Sequence, residues 1–219
     1  MEALYAKVEF LPLLLRGVGV TVRIATESMI VSLLLSFVVG MGRRSRFSLL
    51  RAATVVYVEF FRGTSLLIQL FVLYFILPLY GIGLSAELTA VIGLGLNLGA
   101  YGSEIVRSAI DSIGKEQVEA ARSLSLSRLV TFWKIILPQA VIIMLPSFGN
   151  QAIETVKATA LVSLITIPEL TFYGQTLVYS TGQTYIIWTS VLLCYLAINT
   201  PLNLIVLWAE RRAGRFSRG

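Results

Sequence analysis

Three stretches of this sequence run for about one membrane thickness or more without a charged residue. They cover residues 63–86, 135–153 and 170–209. A helix needs roughly 20 apolar residues to cross about 30 Å of hydrocarbon. Only 14% of the residues are charged, whereas an ordinary soluble domain carries about 25%. The chain is therefore predicted to be an all-α, polytopic membrane protein.

Five membrane spans are predicted within one transmembrane domain that covers residues 1–219. They lie at about residues 18–41, 54–80, 88–106, 140–167 and 186–208. The uncharged stretch 170–209 is too long for one span. Its polar first part, residues 171–185, is therefore predicted to be a loop or a surface helix.

The positive charge is concentrated in three segments that alternate with the spans. Thirteen of the 18 Lys and Arg residues lie in residues 43–51, 107–134 and 211–218. Cytoplasmic segments of membrane proteins carry such an excess. The pattern predicts an outside N-terminus and a cytoplasmic C-terminus, and it explains the net charge of +6 without nucleic-acid binding.

The residue types exclude several kinds of chemistry. The chain has no His and a single Cys, Cys194. A zinc or iron site built on His or Cys is excluded, as is nucleophilic catalysis by a Ser–His or Cys–His pair. No Gly-rich loop of the type that cradles ATP phosphates occurs. We expect no catalytic residue, no metal and no cofactor on this chain.

Four pairs of opposite charges are predicted at or near membrane depth, where charge is costly and usually functional. Each pair has a spacing that places both side chains on one helix face. The pairs either neutralise themselves or serve in a pathway or gate, and the last is expected in a bundle interior. They are Arg23 with Glu27, Glu59 with Arg62, Glu104 with Arg107, and Glu154 with Lys157.

A Gly- and Ala-rich helix carries two polar residues on one face. Asn97 and Tyr101 lie four residues apart beside Gly93, Gly95 and Gly99. Small residues permit close packing of membrane helices, and they also leave room beside a cavity. Asn97 is accordingly expected either to line a pathway or to bond to a neighbouring backbone.

The segment of residues 107–138 is predicted to be cytoplasmic. Apolar residues recur with helical spacing from Leu124 to Trp133, which predicts an amphipathic helix. Pro138 disfavours helix at Leu137, so a turn back to the membrane is expected there. Such a helix either lies on lipid or docks into a groove of a cytoplasmic partner.

Four ordered motifs identify a family. The E-A-A sequence at residues 119–121, with Ser125, Ile135, Leu137 and Pro138, resembles the E-A-A loop of ABC importer permeases. Residues 57–78, 96–113 and 154–165 resemble the polar amino-acid permeases of histidine and glutamine importers. The resemblance spans about residues 14–212.

The resemblance implies the transmembrane fold of a type I importer and a non-catalytic subunit of the bacterial plasma (inner) membrane. Two permease subunits, identical or paralogous, would form the pathway within membrane lipid. Two ATPase subunits would bind ATP and Mg²⁺ beneath them, and an extracytoplasmic binding protein would deliver the substrate. Closure of the ATPases would rotate the spans and alternate the access of the cavity.

The resemblance also assigns residues. The ATPase-coupling helix would comprise Glu119, Ala120, Ala121, Ser125, Leu126 and Ser127. Ser125 replaces a family Gly and must make a helix-ending turn without the freedom of Gly at positive φ. The substrate pathway would involve Asn97, Tyr101, Gln151, Glu154, Lys157 and Thr159.

Two departures from the family pattern bear on substrate and shape. Ala158 replaces a family Asp beside Lys157, which favours a zwitterionic amino acid or a similar solute over a strongly cationic one. Ser65 replaces a family Pro, which alters a kink expected in the second span. A secondary transporter or channel subunit is the alternative function, and it would need no E-A-A segment.

Overall fold

The computed structural model describes residues 2–216 and the side chains of residues 10–211. Within this part of the chain the structure is helical and contains no strand, as the sequence predicts. The described residues form nine α-helices, and short π and 3₁₀ turns follow three of them. The helices are α1 (Glu2–Gly42), α2 (Ser48–Gly63), α3 (Leu66–Phe71), α4 (Ala86–Asp111), α5 (Lys115–Ser123), α6 (Arg128–Thr131), α7 (Leu137–Ala158), α8 (Leu170–Thr181) and α9 (Thr184–Phe216).

Three helical stretches are long and apolar enough to cross a membrane, among the residues described. They are Phe10–Gly42, Arg128–Ile165 and Thr184–Arg211. A fourth results if the bent pair Ser48–Gly63 and Leu66–Tyr80 counts as one span. The third predicted span lies within α4, one continuous helix of 26 residues. The number of five spans and the orientation of the termini stay predictions.

The second predicted span is not one straight helix. The axes of α2 and the following helical segment differ by 104°, and the break falls at Thr64 and Ser65. Both residues have extended backbone, with ψ of 155° and 130°. The bend therefore occurs where a kink is expected, although Ser65 stands in place of the family Pro.

The prediction of an amphipathic helix from Leu124 to Trp133 is wrong. Helix α5 ends before Leu124, and a new helical stretch begins after Ser127, whose hydroxyl accepts a hydrogen bond from the Val130 amide at 3.4 Å. Helical structure then continues through Pro138, where a turn back to the membrane is predicted. The π turn Phe132–Ile136 precedes α7, so Pro138 lies in the first turn of α7, where its missing N–H is tolerated.

Among the described side chains, the buried apolar residues form three clusters, each of which includes or contacts side chains of α1. One joins α1, α3 and α4 to the 3₁₀ turn Thr159–Ile165, a second joins α1 to α8 and α9, and a third joins α4 and α7. The predicted surface segment 171–185 contains α8, whose Leu170 and Leu177 are buried in the second cluster. Helix α1 therefore acts as the central support of the fold.

Candidate functional site

A polar cavity of about 420 Å³ opens between α7 and α9. Lys157 and Glu154 lie on its wall, and the Lys157 Nζ donates a hydrogen bond to the Glu154 Oε1 at 2.8 Å. Their side chains are 55% and 63% exposed, so this pair faces outward and not into the interior of the subunit. The other polar lining residues are Asn150, Asn199, Thr200 and Asn203.

The spacing of residues along α7 places polar side chains on one face of the helix and apolar side chains on another. Asn150, Glu154 and Lys157 are spaced by four and three residues, so they share one face. Val156 lies on the other side of α7 and lines an apolar groove toward α1. Lys157 is in the last turn of α7, where the negative end of the helix dipole favours a cation.

Two predicted pathway residues lie in the packing interior instead. The Asn97 Nδ2 donates to the Phe61 carbonyl oxygen and to the Gln69 Oε1, both at 3.0 Å. The Gln151 Nε2 donates to the Ser32 Oγ at 2.7 Å and to the Leu98 carbonyl oxygen at 3.0 Å. Both amides are buried and join helices, so neither lines the polar cavity.

Thr159 and Tyr101 also lie away from the polar cavity. Thr159 is fully buried, and its hydroxyl donates to the Val156 carbonyl oxygen at 2.7 Å. Tyr101 is exposed, and the Arg62 guanidinium lies 5.4 Å from the centre of its ring. Of the predicted pathway residues, only Glu154 and Lys157 are lining residues of the polar cavity.

The bend between α2 and α3 is held by one amide. The Gln69 Nε2 donates to the carbonyl oxygens of Phe61 and Thr64, at 3.1 and 3.3 Å, and to the Thr64 Oγ1 at 2.7 Å. A broken membrane helix needs such partners for the backbone groups that the break frees. Sequence reasoning did not identify Gln69, whose role depends on the bend.

Two of the four predicted ion pairs form, and two do not. Glu154 pairs with Lys157, and Glu104 pairs with Arg107. Arg23 instead pairs with Glu87 of α4. Arg62 contacts the Tyr101 ring, and no ion pair joins it to Glu59 in the described part of the chain.

The E-A-A segment forms a helix with a defined end. Glu119 and Ala120 are exposed on α5, whereas Ala121 is buried. The Leu126 amide donates to the Ala121 carbonyl oxygen at 3.0 Å, and the Ser125 amide donates to that of Arg122 at 2.8 Å. These two bonds constitute a Schellman motif.

Ser125 occupies the left-handed position of this motif, with φ of +56°. This confirms the expectation that it makes the turn without the freedom of Gly. Leu126 and Ser127, the last residues assigned to the coupling helix, follow the turn, and Ser127 caps α6. Helix α5 therefore ends at Ser123, earlier than the E-A-A pattern suggested.

Known proteins with sequences similar to this chain are subunits of transport systems. Residues 32–215 match the family described as binding-protein-dependent transport system inner membrane component. The probable amino-acid ABC transporter permease protein y4tF of Sinorhizobium fredii is 41% identical, over 92% of this chain and 87% of its own. The glutamine transport system permease protein GlnP of Escherichia coli K12 is 35% identical, over 92% and 93%.

A solved structure agrees with these relatives. The crystal structure of an amino acid ABC transporter with histidines superposes with a TM-score of 0.90 at 27% identity, and it covers 95% of this chain and 97% of its own. The family match alone includes α2 to α9 and most of α1. This chain is therefore a member of the family of inner membrane components of binding-protein-dependent transport systems.

Proposed function

We propose that the protein is the permease subunit of an ABC importer for a zwitterionic amino acid or a closely related solute. The observation that carries the proposal is the pair of Glu154 and Lys157 in the polar cavity between α7 and α9. Exposed charges at membrane depth are costly unless they face water, substrate or another subunit. The named relatives are ABC permeases, which favours this function over a secondary transporter or channel.

The cavity suits a solute that carries both charges. The Lys157 ammonium would bind a carboxylate, and the Glu154 carboxylate would bind an ammonium group. Because the pair is neutral overall, it offers no excess negative charge for a second cation on the solute. The asparagines of α7 and α9 supply neutral donors and acceptors.

Membership of the family supports a proposal for the remaining parts of the importer. Helix α5, with Glu119 and Ala120 exposed, would dock in a groove of an ATPase subunit. ATP and Mg²⁺ would bind there and not on this chain. A second permease subunit would complete the pathway in the plasma membrane, and an extracytoplasmic binding protein would supply the solute.

Uptake of radiolabelled amino acids into vesicles, with the cognate binding protein present, tests the proposal. Lys157→Ala is expected to reduce uptake about 10- to 100-fold, the effect of losing one charged hydrogen bond. Lys134→Ala is the matched control, because it removes an exposed lysine outside the cavity. Arginine as the best substrate, together with full uptake by Lys157→Ala, would contradict the proposal.

A further inference from the structure

Five charged side chains join the segment directly after α1 to the last two turns of α4. Arg43 pairs with Glu104, and Arg44 pairs with Asp111. Arg107 lies between the two acids, with its Nε 3.1 Å from the Glu104 Oε1 and its Nη1 3.2 Å from the Asp111 Oδ2. We call these five residues the α1–α4 clamp. Each carboxylate in it contacts two guanidinium groups.

Close packing continues from the clamp along both helices. A Cβ atom added at Gly95 would lie 2.5 Å from the Val31 Cγ1, and one added at Gly102 would lie 2.0 Å from the Ser36 Oγ. Backbones this close cannot slide past one another without a clash. Toward the opposite end of α4, an ion pair between Arg23 and Glu87 links the two helices again.

The clamp lies directly beside the start of the E-A-A helix. Asp111 is the last residue of α4, and α5 begins at Lys115. The link stays hydrogen-bonded to α4, because the Ser112 amide donates to the Ser108 carbonyl oxygen at 2.9 Å. A displacement of α5 is therefore applied to the end of α4 that the clamp fastens to α1.

We propose that the α1–α4 clamp makes these two helices one rigid unit, which transmits the displacement of α5 across the membrane. Arg43 and Glu104 are then positioning residues for the coupling of ATP hydrolysis to transport. This rests on the proposed function, in which α5 docks on an ATPase. With the clamp open, the end of α4 next to α5 would lose its ion pairs with the segment after α1, so part of the displacement of α5 would bend this end instead of moving α1. Hydrolysis would then continue while solute import declined.

Partly exposed ion pairs contribute little to stability, so clamp variants are expected to fold and assemble. The measurement is the number of ATP molecules hydrolysed per solute imported by the complete complex in proteoliposomes. Arg43→Gln and Glu104→Gln should each raise this ratio at least about fivefold, a typical coupling effect. Arg51→Gln is the matched control, because it removes an exposed arginine of the same segment that forms no ion pair among the described residues.

A parallel decrease of uptake and hydrolysis, with the ratio unchanged, would assign the clamp a purely structural role and overturn the proposal. Arg44→Gln, which removes only the more exposed Asp111 pair, is expected to give a smaller increase. This variant provides the test if the Glu104 variants fail to assemble. An unchanged ratio of ATP hydrolysed to solute imported would again contradict the proposal that α1 and α4 move as one rigid unit.

Cross-linking supplies a second, independent test. In a Cys194→Ser background, Arg43→Cys with Glu104→Cys should be uncoupled, and a bifunctional thiol reagent should restore the low ratio. Loss of import on cross-linking would show that α1 and α4 must separate during transport, which would exclude their moving as one rigid unit. If the binding protein stimulates no hydrolysis by the wild-type complex, the proposed function itself has failed.

Discussion

Two residues show how single side chains adapt to positions that the fold imposes. Ser125 closes α5 in the left-handed region, where only Gly is free of steric cost. Glu169 is fully buried at the start of α8, where its Oε1 accepts a hydrogen bond from the Phe172 amide at 2.8 Å. Its Oε2 accepts one from the Tyr195 hydroxyl at 2.9 Å.

Ser125→Gly should stabilise the turn after α5 by up to about 1 kcal/mol, because Gly adopts positive φ without a Cβ clash. A higher thermal unfolding midpoint of the purified complex, with ATPase docking retained, is the expected result. Ser127→Gly, which removes the hydroxyl that caps α6, serves as the contrasting variant and should not stabilise. A lower midpoint for Ser125→Gly would contradict the strain assigned to Ser125.

Burial raises the pKa of the Glu169 carboxyl above its ordinary value. The folded state therefore binds this proton more tightly than the unfolded chain, and ionisation destabilises the fold as the pH rises through the folded pKa. Glu169→Gln keeps an acceptor for the Phe172 amide but cannot ionise. Its unfolding midpoint relative to wild type should rise as the pH increases above the ordinary pKa of a glutamate carboxyl.

Glu169→Ala separates the cap from the charge. It removes the acceptor for the Phe172 amide and, like Gln, cannot ionise, so it should be about 1 kcal/mol less stable than Glu169→Gln at every pH. A Glu169→Gln difference that stays constant with pH would rule out the effect of burial on ionisation.

Contacts between helices depend on glycine at specific crossings. Helices α7 and α9 approach at Gly149, where an added Cβ atom would lie 2.4 Å from the Val206 Cγ2. The same helices carry the polar cavity, so this crossing sets the distance between its two walls. Sequence reasoning considered the glycines of α4 but not this one.

Gly149→Ala should destabilise the permease by about 1–3 kcal/mol, the usual effect of overpacking. The combination with Val206→Ala should recover most of that loss, because it removes the clashing methyl groups. Gly19→Ala is the control, since nothing lies within 4 Å of an added Cβ there. Unfolding midpoints in detergent measure all three, and a neutral Gly149→Ala would mean that α9 moves freely at this crossing.

Orientation in the membrane is a property of the whole molecule that the charge pattern of the sequence predicts. The positive-inside rule predicts that the loop at residues 81–85 faces outside and that residues 43–51 face the cytoplasm. In a Cys194→Ser background, Gly83→Cys should react with a membrane-impermeant thiol reagent on intact cells. Ser48→Cys should react only after the cells are opened, and the reverse pattern would invert the topology.

The sequence by itself determined the class, the family and the position of the E-A-A segment. Apolar runs report membrane depth, and the E-A-A motif is local, so both can be recognised without a structure. The ion pairs of Glu104 with Arg107 and of Glu154 with Lys157 each span one helical turn, as predicted. Among the described residues, the same spacing did not suffice for Arg23 with Glu27 or for Glu59 with Arg62.

The tertiary structure alone decided which polar side chains face the cavity and which join helices. Asn97 and Gln151 are polar, as residues of a substrate pathway are expected to be. Their partners, Gln69 and Ser32, lie 28 and 119 residues away in sequence. Arg23 likewise reaches Glu87 across 64 residues instead of Glu27 on its own helix. Spacing along one helix reveals which residues share a face, whereas helix packing determines what that face meets.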